Sequence, residues 1–100
     1  MPREVLQIDP RTLHLPSERE DGVDLFKLGL QYARHGDRFD GMPALEVARD
    51  GNGNLMIQNG VTRATRAAEV DPGRLVAVEV MEENPNLDFS HLPTVGERMP

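Results

Sequence analysis

Residues 57–68 constrain the fold most, because a strand-like run passes directly into a helix-like one. The apolar strand pattern at Ile57-Gln58 ends in Asn59-Gly60, and the alanine-rich stretch from Val61 to Ala68 follows without a loop. Backbone N–H groups in the first turn of a helix lack intrahelical partners and carry the positive end of the helix dipole. This junction, with Arg63 in the first helical turn, therefore predicts a site for an anion such as phosphate.

Composition restricts the architecture and the compartment. A chain of 100 residues with 38% hydrophobic residues is typical of one modest globular domain rather than of a disordered chain. No run of about 18 apolar residues occurs, so no membrane span is predicted. The start, Met1-Pro2-Arg3-Glu4, lacks the apolar core of a signal peptide. The absence of cysteine excludes disulfides, thiol catalysis and thiolate metal sites, and a cytoplasmic protein is expected.

The charge balance bears on the partners. A net charge of -6, from 17 acids and 11 bases, opposes a broad electrostatic interaction with duplex DNA. All bases except Lys27 are arginine, a residue that favours bidentate recognition of phosphate or carboxylate. A GC-rich genome explains the same bias equally well, so the bias does not decide between an anion site and an ordinary surface.

The remaining hydrophobic patterns predict an α+β fold. Strands are predicted at residues 5–8, 44–48, 55–58 and 75–81, and helices at residues 23–34 and 61–70. The order β-α-β-β-α-β predicts a small mixed β-sheet with two helices. Asp21 or Asp24 is the expected N-cap of the first helix, and Gly36 its expected end. One face of that helix is predicted to be buried, and it carries Leu25, Leu28, Gly29, Tyr32 and Ala33.

Two further segments receive structural predictions. The stretch from Asp50 to Asn54 is predicted as a hairpin turn, because a calcium loop would need Gly at Leu55 and Glu at Val61. Residues 1–83 form the predicted domain, and residues 84–100 form an extended or disordered C-terminal tail. The apolar residues of this tail have no evident core to enter; they are Leu87, Phe89, Leu92 and Val95.

The chain resembles the ParB N-terminal, sulfiredoxin-like family over roughly residues 5–81. Its Gly60-Val61-Thr62-Arg63 matches the family's Gly-x-x-Arg phosphate loop, and a small-residue helix follows as in the family. Three other parts resemble family segments. Ile8-Asp9-Pro10, with Arg19 and the helix at 25–30, resembles the opening segment of the family. Gly36 and, after a longer gap, Pro43-Ala44-Leu45-Glu46-Val47 resemble its Gly…Pro-Ile-x-Val segment, and Leu75 to Val80 resembles its closing strand. The resemblance implies the family's α+β fold and a phosphate site.

Departures from the family pattern limit what the resemblance implies. Val61 and Thr62 stand where sulfiredoxins have the catalytic cysteine and a histidine, so reduction of cysteine sulfinate is excluded. Chromosome-partitioning ParB proteins have Glu and Arg there, and a later Glu-Asn-x-x-Arg helix. In this chain Glu83-Asn84 corresponds to the start of that motif. Pro85 follows directly and breaks a helix, and Leu87 stands in place of the arginine. The chain also has no room for their helix-turn-helix region, so DNA partitioning is not implied.

The predicted ligand-binding residues are Gly60, Val61, Thr62, Arg63 and Arg66. We expect a phosphate-bearing ligand, preferably a nucleotide. A Mg²⁺ ion would accompany the nucleotide if the carboxylates of the acidic run near Arg19 bind that ion. That run contains Glu18, Glu20, Asp21 and Asp24. A surface ion pair is the alternative role for Arg63, and a solvated helix position is the alternative for Arg66. No catalytic residue is assigned, and no metal site, since His14, His35 and His91 are scattered.

Two other functions stay open at this point. A ParB-like nuclease or phosphodiesterase would need a base or metal, for which Glu18, Glu20 and Asp21 are the only named carboxylates. A non-enzymatic protein-interaction module would keep the fold without the chemistry, and would capture its partner through the C-terminal tail.

Overall fold

Four strands form one mixed sheet in the computed structural model, which describes residues 3–100. The strands are β1 (Val5–Ile8), β2 (Leu45–Asp50), β3 (Leu55–Asn59) and β4 (Val76–Asn84). Their order in the sheet is β1-β4-β2-β3, with β4 antiparallel to β1 and parallel to β2, and β3 antiparallel to β2. With the two helices α1 (Leu25–His35) and α2 (Val61–Val70), this confirms the α+β class, the mixed sheet and the hairpin.

Helix α2 lies at the centre of the molecule because its side chains are small. Ala64 and Ala67 belong to the main core, together with Leu45, Ile57 and Val78 of the sheet. Residues 64–68 are all buried, which requires cover on more than one side of the helix. The additional cover comes from α1 and from the turn at Pro10–Thr12, both of which contact α2. Within residues 3–100, neither helix combines the length and apolar character needed to cross a membrane.

Helix α1 is less deeply packed than its sequence pattern predicts. Of the five residues on the predicted face, Leu28 is buried and Tyr32 is half-buried, whereas Leu25, Gly29 and Ala33 are exposed. The prediction of a wide buried face is therefore wrong. The physical reason is that α1 packs mainly against a single helix, α2, so the rest of its predicted face stays exposed to solvent.

The ends of α1 follow the sequence signals. Asp24, one of the two expected N-caps, accepts hydrogen bonds at Oδ1 from the backbone N–H groups of Phe26 (2.9 Å) and Lys27 (3.3 Å). Gly36 ends the helix at a φ of 57°, and its N–H donates to the Tyr32 carbonyl oxygen. A left-handed conformation at this position favours glycine, as the sequence predicts.

The prediction that the C-terminal apolar residues have no core to enter is wrong. Phe89, Leu92 and Val95 are 5%, 6% and 2% exposed, and of the four named residues only Leu87 stays exposed. Val95 joins the main core, while Phe89 and Leu92 pack against Ala48 of β2 in a second cluster. The segment lacks the periodicity of a helix or strand, so the sequence pattern does not show that it is packed.

Backbone hydrogen bonds hold the C-terminal segment in place. Residues 13–15 lie between it and β3. On one side His14 exchanges two backbone bonds of 2.9 Å with Leu55 and Ile57. On the other side the Leu15 N–H donates to the Pro93 carbonyl oxygen (2.8 Å), and the Val95 N–H donates to the Leu13 carbonyl oxygen (2.9 Å). Two segments outside the four strands thereby continue the pairing beyond β3.

Asp50 joins the hairpin turn to the C-terminal segment. Its carboxylate accepts hydrogen bonds from the backbone N–H groups of Asn52 (2.9 Å), Asn54 (2.8 Å) and Phe89 (2.7 Å), and from the Asn54 side-chain amide (3.0 Å). Burial by itself raises the pKa of Asp50, but these hydrogen bonds outweigh it and hold the pKa at about 2.

The pKa of Asp50 in the folded protein lies below its ordinary value of 3.8, and this fixes the direction in which stability depends on pH. The charged carboxylate stabilises the fold fully above pH 4, and this contribution is lost as the pH falls towards 2. We expect Asp50→Asn to lower the melting temperature at pH 7, and the difference from the parent protein to shrink between pH 4 and pH 2. Thermal melts over this range test it, with Asp21→Asn as control, because Asp21 is exposed and its side chain accepts no hydrogen bond among residues 3–100. A constant difference across the range would contradict the role of the Asp50 charge.

Candidate functional site

A cleft of about 370 Å³ opens where β3 ends and α2 begins. Gly60, Val61, Thr62 and Arg63, four of the five residues predicted to bind a ligand, lie together in its wall, whereas Arg66 does not line it. The rest of the wall comes from β3, from the start of α1 and from the loop before it: Pro16, Glu18, Arg19, Asp24, Lys27, Gln31, Gln58 and Asn59.

The two helices that start at this cleft differ in whether a side chain caps their N-terminus. The carboxylate of Asp24 caps α1, so a negative charge of the chain itself already occupies that end. Gly60 occupies the N-cap position of α2, and no side chain caps that helix. The positive end of the α2 dipole and its first-turn N–H groups therefore remain available to an anion in the cleft.

The spacing of Gly60 and Arg63 has a geometric reason. The Arg63 side chain folds back over Gly60, so that its Nη2 lies 3.1 Å from where a Cβ on Gly60 would stand. The same Cβ would lie 2.6 Å from Cδ2 of the buried Leu45. Gly60 has a φ of 120°, in the region that side chains disfavour. Only glycine fits here, and its lack of a side chain admits the guanidinium to the helix start.

Arg63 is bound to the backbone of the protein rather than to a surface carboxylate. Its Nη1 donates to the carbonyl oxygens of Pro43 (2.8 Å) and Ala44 (3.4 Å), which ties α2 to the segment before β2. Burial lowers the pKa of the guanidinium, and the Glu46 carboxylate acts in the opposite direction. The alternative of a surface ion pair is therefore wrong. Arg63 holds the loop with one amino group and lies beside the helix N-terminus with the other.

Cations outnumber acids in the cleft wall, although the chain as a whole is acidic. The cations are Arg19, Lys27 and Arg63, and the acids are Glu18 and Asp24. Asp24 is already engaged in capping α1. The balance at the α2 N-terminus thus favours a bound anion.

The sequence pattern did not assign two of these cations to the site. Arg19 precedes α1 and Lys27 lies in its first turn, 41 and 33 positions before Gly60 respectively. The one feature of the sequence that pointed to either cation was that Arg19 lies in the segment resembling the opening segment of the family. Thr62, one of the predicted ligand-binding residues, lines the cleft, and its hydroxyl makes no hydrogen bond among residues 3–100.

The acidic run lies partly in the cleft. Of its four carboxylates, Glu18 and Asp24 line the cleft, whereas Glu20 and Asp21 do not. Within residues 3–100, no group of three or more His, Asp or Glu side chains is arranged to hold a metal ion. Glu18, and the Asp24 oxygen that does not cap α1, are the carboxylate oxygens that this wall offers to a cation.

Arg66 lies away from the cleft, in the interior. Its side chain is 2% exposed, and its Nη1 donates to the carbonyl oxygens of Arg38 and Gly36. The alternative of a solvated helix residue is therefore wrong. The sequence pattern indicates a surface position for an arginine in an alanine-rich helix. Arg66 is buried because the loop that follows α1 provides carbonyl oxygens for its guanidinium.

Known proteins offer no guide to this site: comparisons of the chain with family models, with curated proteins and with solved structures give no match.

Proposed function

We propose that the protein binds a phosphate-bearing ligand in the cleft at the start of α2. The observation that carries the proposal is the uncapped N-terminus of α2, which faces a cleft lined by Arg19, Lys27 and Arg63. Backbone N–H groups and a guanidinium that meet at one point are the donors that phosphate oxygens accept. Gly60, Val61, Thr62 and Arg63 are the proposed contacts, while Arg66 is assigned to another pocket below.

A nucleotide is the proposed ligand class. The cleft volume of about 370 Å³ lies within the range of small-ligand sites, about 300–1,000 Å³. Glu18 and Asp24 offer carboxylate oxygens to the Mg²⁺ that accompanies a nucleoside triphosphate. The net charge of -6 argues against duplex DNA as the ligand. A cytoplasmic location is part of the proposal, because a chain without cysteine needs no oxidising compartment.

Membership of the ParB/sulfiredoxin-like family belongs to the same proposal. Its support is the Gly-x-x-Arg segment at 60–63 between a strand and an alanine-rich helix, within an α+β fold. Val61 and Thr62 at the family's reactive positions argue for binding without the sulfiredoxin or partitioning chemistry.

Arg63→Ala is the first test. We expect it to weaken binding of a Mg²⁺–nucleoside triphosphate by about 1.5–3 kcal/mol, the range for a hydrogen bond to a charged group. It should also lower the free energy of unfolding by about 1–2 kcal/mol, because the bonds to Pro43 and Ala44 are lost. Calorimetric titration and denaturant unfolding measure the two effects.

Lys27→Gln is the matched variant, because Lys27 is exposed and its side chain forms no ion pair among residues 3–100. It should weaken nucleotide binding while leaving unfolding unchanged. Arg3→Gln, which removes a cation outside the cleft, should change neither. Nucleotide affinity equal in all three variants and in the parent protein would reject the cleft as the site.

A protein-interaction module is the second candidate, favoured by a different observation from the one first expected. The apolar residues Leu25, Phe26 and Leu30 of α1 are 67%, 74% and 42% exposed, whereas most apolar residues of the C-terminal segment are buried. An interaction role would therefore use α1 rather than the C-terminus. A nuclease or phosphodiesterase has weaker support, since Glu18 is the only one of its named carboxylates in the cleft.

A further inference from the structure

A second pocket, of about 560 Å³, lies on the other side of Arg63. It is formed by the end of α1, the loop after it and α2, and we call it the arginine pocket. Its wall carries five basic side chains: Arg34, His35, Arg38, Arg63 and Arg66. The acid in the wall, Asp40, already pairs with Arg74 at 3.2 Å. A chain with a net charge of -6 thus gathers four of its arginines around one pocket.

Arg66 is the most buried of the five, at 2% exposure. Its Nη1 donates to two carbonyl oxygens, and its Nε–H has no hydrogen-bond partner. Among residues 3–100 it forms no ion pair. Glu69, one turn further along α2, accepts the Tyr32 hydroxyl at 2.8 Å instead. A buried cation without an opposite charge destabilises a fold, so a negative group at this pocket would compensate Arg66.

Arg34 and Arg38 are exposed at the entrance, and their side chains form no ion pair or hydrogen bond among residues 3–100. Outside the pocket Arg3, Arg11 and Arg49 are each paired with an acid, whereas Arg19 and Arg98 form no ion pair among residues 3–100. A cation at the C-terminus of α1 interacts favourably with the helix dipole, which accounts for Arg34 and His35. The dipole does not account for Arg66, which lies inside and on a different helix.

We propose that the arginine pocket binds a small polyanion that carries two or more phosphate or carboxylate groups. Guanidinium groups recognise both by paired, charge-assisted hydrogen bonds. Arg66 neutralises one anionic group from the interior, and Arg34 and Arg38 engage the other from the entrance. This site shares Arg63 and Gln31 with the wall of the cleft at the start of α2, but the rest of its wall is different, and its ligand need not be the same.

Inorganic pyrophosphate and citrate are the two probes, titrated at physiological ionic strength so that general surface attraction is screened. We expect saturable shifts of the backbone amide resonances of residues 36–42. Arg38→Gln should weaken binding by about tenfold or more and leave the melting temperature unchanged. Arg34→Gln should weaken binding similarly, with a small loss of melting temperature because its interaction with the α1 dipole is lost. Whichever probe binds more tightly assigns the site to phosphate or to carboxylate chemistry.

Arg3→Gln is the control, because it removes the same charge far from the pocket. Affinity reduced equally by Arg3→Gln and Arg38→Gln would show a general charge effect and overturn the proposal. Shifts confined to residues 60–63, or no saturable shift with either probe, would overturn it as well. Lys27→Gln should leave binding at residues 36–42 unchanged, which separates this site from the cleft.

Discussion

Removal of residues 85–100 is expected to unfold the protein rather than to trim a flexible tail. The deletion takes away Phe89, Leu92 and Val95, each at least nine-tenths buried. At about 1.5–3 kcal/mol per buried side chain, the loss is roughly 5–9 kcal/mol, comparable with the total stability of a small domain. It also removes the backbone partners of residues 13–15. Circular dichroism melts measure the effect, and a cooperative melt at the parent temperature would contradict it.

A point substitution tests the same contact without shortening the chain. A Cβ on Gly51 would overlap the backbone carbonyl oxygen of Pro85, where the C-terminal segment leaves β4. Gly51→Ala should therefore push this segment off the hairpin turn and lower the melting temperature. Gly29→Ala is the control: its Cβ meets nothing within 4 Å, and alanine should stabilise the exposed helix by about 0.5–1 kcal/mol. Equal responses at the two glycines would argue that the Pro85 contact carries no energy.

Gly60→Ala is expected to have the second large effect, on both stability and binding. Its Cβ would lie 2.6 Å from Leu45 Cδ2 and 3.1 Å from Arg63 Nη2, at a φ of 120°. Backbone strain contributes about 1–3 kcal/mol and crowding of the core a similar amount, so the free energy of unfolding should fall by about 2–6 kcal/mol. The displaced guanidinium should also weaken nucleotide binding.

Gly53 separates the two contributions to this effect. It has a φ of 86°, but nothing lies within 4 Å of an added Cβ. Gly53→Ala should therefore show the strain alone, about 1–3 kcal/mol, with no change in nucleotide affinity. Denaturant unfolding and calorimetric titration of both variants provide the comparison. Identical losses at the two positions would mean that Gly60 is not crowded, and the explanation of the Gly-x-x-Arg spacing would fail.

The sequence predicted well those features that depend on local chemistry. The strand predicted at residues 75–81 overlaps β4, and Asp24 and Gly36 delimit α1 as predicted. The glycine at residue 60 and the arginine three positions later share one side of the cleft, as their place in the first turn indicates. In each case neighbours within a few residues determine the outcome.

Features that depend on distant partners were not predictable from the same patterns. Phe89 and Val95 are held in the interior by distant groups, the Asp50 carboxylate and the Leu13 carbonyl oxygen respectively, which no local period reveals. Arg66 is buried because the carbonyl oxygens of residues 36 and 38 lie beside α2. The apolar face of α1 was overestimated, because periodicity shows which residues share a face but not how wide the covering element is.

The most direct test of the central proposal is an amide-resolved NMR titration of the whole chain with a nucleoside triphosphate and Mg²⁺. We expect saturable shifts at the backbone amides of Gly60, Val61, Thr62 and Arg63, because those N–H groups would donate to the phosphate. Amides of β1, on the far edge of the sheet from β3, serve as the internal reference. Resonances of residues 60–63 that stay unmoved at millimolar ligand would contradict a phosphate site at this helix.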